Sequence, residues 1–284
     1  MRTRVIASIV LIVALAPKLF AATPVANWEF ENNYVDSVNG YNLAVRAGAS
    51  VPFVPGISGT AVEFNSPTPP VDALDALSQP NPQIFNSGMS IMGCILQNQN
   101  SVPDGTGSDG AIVAQSGIRT QTDDRGWTVD MSNQGRLELS LRDEQDDRNI
   151  GYSAVNIAPN VWTQFAITWD GSPIDGFKFY LNGALVPSTN DLGGGTFSGF
   201  PNLTIPMFLG ATPPGYATPH GFVGLMEDIS VFTGVLTAAE VQAAYLECIP
   251  EPGSFGMLAV GVCASFARRR GRTKAVASDA IHSN

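Results

Sequence analysis

"NVWTQFAITWDGSPIDGFKFYLNGALV", residues 160–186, decides how the whole chain reads. Within "QFAITW" (164–169), Phe165, Ile167 and Trp169 fall at alternate positions, the period of a strand with one buried face. "FKFYL" (177–181) is a second strand-like segment, and Asn182-Gly183 follows it directly. Both residues tolerate the positive φ that a type I′ turn demands, so the chain is expected to reverse there. Asp170-Gly171 marks another turn after "QFAITW".

The pattern extends outward in both directions. "WTVDM" (127–131) and "LELSL" (137–141) are further strand segments, with Leu137, Leu139 and Leu141 on one face. Only "TAAEVQAAYLE" (237–247) has helical spacing: Thr237 caps it, Glu240 completes a capping box, and Val241, Ala244 and Tyr245 share a face. Many short strands with one short helix imply an all-β fold of two packed antiparallel sheets. No internal repeat interrupts it.

The chain has 284 residues, 44% of them hydrophobic, enough for a sizeable core; its 29 Gly and 20 Pro favour turns over long helices. Charge is uneven. From Thr23 to Pro252 there are 7 Lys+Arg against 24 Asp+Glu, a net of −17. So acidic a body repels nucleic acid and anionic headgroups, and neither is expected as a partner.

The ends differ from the body. "MRTRVIASIVLIVALAPKLFAATP" has a basic start, an apolar run and small residues at Ala21 and Ala22, the layout of a secretory signal peptide over residues 1–22. Near the other end, "IPEPGSFGMLAVGVCASFARRRGR" (249–272) runs from Pro250-Glu251-Pro252 through an uncharged segment to Arg268-Arg269-Arg270. The apolar run is shorter than the ~20 residues that usually cross a bilayer, and the arginines would hold its far end in the cytoplasm.

That ending resembles the bacterial PEP-CTERM sorting signal, carried here by Pro250, Glu251, Pro252, Arg268, Arg269 and Arg270. The resemblance implies an exosortase-type processing enzyme as a partner. It also implies transient membrane association through a C-terminal hydrophobic helix, then display at the cell surface or release. Residues 273–284 are expected to be a disordered tail.

The body, residues 24–247, resembles the LamG-like jelly roll of the concanavalin A-like lectin/glucanase superfamily. The matching pieces, in order, are "ANWEFENNYVDSVNGYNL" (26–43), "GISGTAVEFN" (56–65), "GMSIMGCI" (88–95), the opening hairpin and "GFVGLMEDISVFTGVLTAAEVQAAY" (221–245). Residues 66–87 and 187–220 fit none of these and are expected to be rim loops. The resemblance implies one structural Ca²⁺ between Asp36 in the opening turn and Asp228 on the closing strand. Against the ion stand two alternatives: Asp36 makes an Asx turn, and Asp228 accepts backbone N–H bonds.

Signals for catalysis are poor. The Glu-x-Asp-x-x-Glu strand of β-glucan-cleaving relatives is absent from the sequence. "RDEQDDR" (142–148), with Asp143, Glu144, Asp146 and Asp147, reads as a solvated hairpin tip, and His220 as a solvated loop imidazole. Cys94 and Cys248 can pair in an oxidising compartment, but a buried free thiol at Cys94 is the expectation. Trp127, Trp162 and Trp169 are tempting sugar platforms, yet the last two match core positions; Phe200 and Tyr216, in the rim loops, are the better binding candidates.

The reading is therefore an exported, non-catalytic surface or extracellular-matrix protein that binds an extracellular polysaccharide or a surface protein. A glycoside hydrolase or polysaccharide lyase on the same fold is the alternative, and a structural spacer a further one.

Overall fold

The computed structural model describes residues 21–66, 71–98, 110–117, 125–132, 134–145, 147–191, 195–202, 204–205, 207–211 and 221–248. Their strands, in chain order, are β1 (Thr23–Trp28), β2 (Leu43–Val45), β3 (Phe53–Pro55), β4 (Thr60–Phe64), β5 (Leu74–Ala76) and β6 (Met89–Gln97). Then come β7 (Gly110–Ser116), β8 (Gly126–Met131), β9 (Arg136–Arg142), β10 (Arg148–Asn156) and β11 (Trp162–Trp169). The last are β12 (Phe177–Leu181), β13 (Ala184–Val186), β14 (Ser188–Asp191), β15 (Met207–Leu209) and β16 (Gly224–Thr233), followed by the helix α1 (Ala238–Cys248).

These strands form a two-sheet jelly-roll sandwich in which the paired strands run antiparallel. The first sheet has the order β13-β12-β11-β6-β16-β4-β3, with β1 also on β16; the second is β14-β10-β9-β8-β7-β15-β5-β2. The expected hairpin is β11–β12–β13, and its turn holds Asn182 at φ 50° and Gly183 at φ 75°. Alternation does the sorting. Phe165, Ile167 and Trp169 face inward from the first sheet, and Leu137, Leu139 and Leu141 from the second, all within one core cluster. Each such side chain taken out of water contributes roughly 1.5–3 kcal/mol. Gly151 lies where β10 meets that core: a Cβ there would sit 2.5 Å from the Phe177 ring.

The segments expected to be rim loops contain three short strands, β5, β14 and β15. They were hidden because strands of three or four residues at a sheet's flank carry too few alternations to read. Phe200 is also corrected. It is buried at 2% exposure, packed edge-to-face against Trp169 and Phe197.

The helix α1 packs on the outer side of the first sheet. Val241 and Ala244 meet Met92, Ala166, Tyr180, Phe232 and Leu236 in a smaller core of their own, which also takes in Ala22. Its capping box is formed: the Glu240 carboxylate accepts the Thr237 N–H and hydroxyl, and Thr237 Oγ1 accepts the Glu240 N–H. Cys94 and Cys248 are disulfide-bonded, their Cα atoms 6.4 Å apart, which corrects the expected free thiol. The reason is positional. Cys94 alternates with the inward Ile91 and Ile95, so it faces outward, where the buried side of α1 delivers Cys248.

Among the described residues no helix is long and apolar enough to cross a membrane. Residues 1–20 of the signal peptide expected over 1–22, Asp146, Tyr216, His220, and Pro250, Glu251, Pro252, Arg268, Arg269 and Arg270 of the expected sorting signal lie outside the described residues.

Candidate functional site

Several acids of this domain bind its own backbone. Asp36 accepts the amides of Asn27 and Val38 through one oxygen, and those of Asn39 and Tyr41 through the other, at 2.8–3.0 Å. Asp72 gathers the amides of Ser50, Asn65 and Ser66. Asp143 takes those of Gln145, Asp147 and Ser198 with the Ser198 hydroxyl. Burial pulls the Asp143 carboxyl upward, but its bonds to the Ser198 hydroxyl and to the three amides outweigh that and hold it below the usual carboxylate range. β9 and β10 form the hairpin expected, with Arg142 opposite Arg148, yet Asp143 is fully buried rather than solvated.

The buried acid of the closing strand is Glu227, at 1% exposure, while Asp228 is half-buried. A bulge between Glu227 and Ser230, with Asp228 at φ 55°, breaks the alternation there. Glu227 accepts the Ile57 and Ser58 amides and the Ser58 hydroxyl. Gly56 makes this approach possible, since a Cβ at that position would lie 2.1 Å from the Glu227 carboxylate.

Asp228 instead lines a groove of about 230 Å³ between the end of α1 and the outer face of the first sheet, together with Asn27, Glu29, Gln164, Ser230 and Glu247. Asp36 is not among the groove's lining residues. Among the described residues there is no cluster of three or more His, Cys, Asp or Glu able to hold a metal ion. The Ca²⁺ expected between Asp36 and Asp228 does not fit the donors as they stand, because both Asp36 oxygens already serve four amides.

The outer face of the second sheet has a different character. Most positions alternating with the core leucines carry polar groups, aligned across the strands by the register; Glu138, Ser140 and Ile150 are buried among their neighbours. One row places Asp130, Glu138, Tyr152 and Thr189 side by side on β8, β9, β10 and β14. The next sets Thr128, Ser140, Ile150 and Asp191 on the same four strands. A third brings Arg142 beside Arg148. The Arg136 guanidinium lies over the Tyr152 ring, 5.4 Å from its centroid. Toward the far edge, Arg46 holds Asp75 through a two-pronged ion pair and lies 5.9 Å from the Phe208 ring.

Asp130 and Glu138 are direct cross-strand partners, a placement that sets Cβ atoms about 4.5–5.5 Å apart. Neither residue stands out in the sequence, because "WTVDM" and "LELSL" draw the eye to their apolar positions. The signal available was the Gly135 turn: folding the two strands on it brings position 130 opposite 138. Of the tryptophans, Trp127 and Trp169 are buried at 1% and Trp162 is half-buried, so the tempting platforms serve mainly the interior.

Residues 102–242 match the family model described as the concanavalin A-like lectin/glucanases superfamily, a laminin G type. Among solved structures, the chain is similar to domain 4 of AbnA, a GH43 extracellular arabinanase from Geobacillus stearothermophilus determined in complex with arabinotriose. That similarity has a TM-score of 0.56 at 17% identity, over 78% of this chain and 98% of that one. The binding domain of Paraclostridial Mosquitocidal Protein 1 aligns with TM-score 0.54 and 17% identity over 79% of this chain. The botulinum neurotoxin serotype G binding domain gives 0.55 and 18% over 78%. This chain spans about half of each toxin fragment, 51% and 50%. At such identities the likeness establishes the fold. No curated protein matches.

Proposed function

We propose that this is an exported, non-catalytic binding protein that holds an extracellular polysaccharide against the outer face of its second sheet. The observation that carries the reading is the ordered row Asp130–Glu138–Tyr152–Thr189, flanked by Arg136, Ser140 and Arg142. Carboxylates, guanidinium groups and hydroxyls fixed on rigid strands match the dense donors and acceptors of sugars, and an aromatic ring supplies apolar contact for a sugar's C–H face. The arabinotriose-bound arabinanase domain and the toxin binding domains are consistent with recognition of glycans or surface partners. Export is supported by the Cys94–Cys248 bond, since disulfides persist in oxidising compartments. On this reading the PEP-CTERM-like segment, with its exosortase-type processing, delivers the domain to the surface.

The pairing of Asp130 with Glu138 favours one second reading, a glycosidase. Retaining enzymes carry two carboxyl groups about 5–5.5 Å apart, one as nucleophile and one as acid. A glycan array combined with a reducing-sugar assay on the array's hits separates the two. Binding without release of reducing ends supports the binding protein. Release that Glu138→Gln abolishes establishes the enzyme instead.

A further inference from the structure

The first described residues are part of the fold, and this bears on where the leader is removed. Ala22 is 3% exposed and belongs to the small core under α1 with Phe232, Leu236 and Val241. The Ala21 amide donates to the Glu240 carboxylate, the same group that closes the capping box with Thr237. β1 then begins at Thr23, paired with Thr233 at the end of β16.

We propose that the export protease cuts the Ala21–Ala22 bond and that Glu240 receives the new α-ammonium of Ala22. This rests on the export reading above. Leader proteases favour small residues one and three positions before the cut. Cutting before Ala21 would place Phe20 just before it, and cutting after Ala22 would remove a side chain from the core. The bond between the two alanines sets Ala21 just before the cut and Leu19, rather than the larger Phe20, three before it, and it keeps Ala22 in the core. Water supplies the hydroxyl to the Ala21 carboxyl group and a proton to the Ala22 nitrogen, which takes another from solvent to become an ammonium. That nitrogen lies one peptide unit beyond the amide Glu240 already accepts, a span of about 3.8 Å between α-carbons. An amide–carboxylate bond is thereby exchanged for a charge-assisted one at the first turn of α1. The uncut precursor has no amine to offer there, so processing and docking of the first strand become linked.

The test expresses the full-length chain in a secreting host and sequences the N-terminus of the recovered protein. A start at Ala22 is expected. A start at Thr23, or at any other residue, overturns this inference while leaving export intact; full-length protein retained in the cytosol overturns both. A second measurement addresses the ammonium itself. Glu240→Gln should lower the urea midpoint of the Ala22-start protein at least twice as much as that of a Thr23-start protein. Equal losses in the two overturn the docking.

Discussion

Ser58 donates its hydroxyl to Glu227 at 2.6 Å, and with that bond the turn between β3 and β4 is tied to the bulge of β16. Two backbone amides converge on the same buried carboxylate, so removing it leaves three donors of a part-buried turn without their acceptor. Glu227→Ala should cost roughly 3 kcal/mol in urea unfolding. Gly56→Ala should also destabilise, because its methyl group would occupy the carboxylate's position. Losses below about 0.5 kcal/mol in both, the range of ordinary surface substitutions, would show that the clamp is not structural.

Asp143 is expected to contribute to the acid limb of stability. Its carboxyl is held below the ordinary range in the fold, as is that of Glu240, where burial pulls upward and the bonds from Thr237 and Ala21 prevail. In the unfolded chain both return to about 4. The unfolded state therefore takes up protons first as pH falls. The stabilisation is present above about pH 4 and is lost below it, as pH drops through the folded values. Urea midpoints measured from pH 7 to pH 2.5 should fall steeply at the acid end, and Asp143→Asn should flatten that fall. An unchanged profile in the variant would remove Asp143 from the account.

Cys94 and Cys248 close a span of 154 residues, fastening the last residue of α1 to a central strand of the first sheet. Cys248→Ser should lower stability by about 2–5 kcal/mol. Non-reducing peptide mapping of the purified protein should recover the two cysteines as one linked pair. Free thiols at both positions would contradict the pairing.

Chelation tests the amide clamps against a bound cation. Four amides on Asp36 leave no call for an ion there, so EDTA should not move the thermal midpoint. A drop of several degrees, restored by Ca²⁺, would place a metal in the fold.

What could be read in advance follows from how each feature is encoded. The β11–β12–β13 hairpin and α1 were legible because alternation, Asn182-Gly183 and the Thr237–Glu240 box are local signals. β5, β14 and β15 were not, since three or four residues carry no period and pairing across the sheet defines them. The bulge at Glu227–Ser230 exchanged the roles of Glu227 and Asp228, and strict alternation cannot anticipate an inserted residue. The polar face was hidden for another reason. Asp130, Glu138 and Tyr152 lie on three strands, and only the register makes them neighbours. Searching one strand for an acidic motif could not find a row built across several.

The most direct measurement is calorimetric titration of the purified protein with the polysaccharide identified on the array, set beside Tyr152→Ala and Asp130→Asn proteins of unchanged thermal midpoint. The account predicts saturable binding by the native chain and at least a tenfold loss in each variant. Binding that survives both substitutions, or no binding to any glycan, would contradict it.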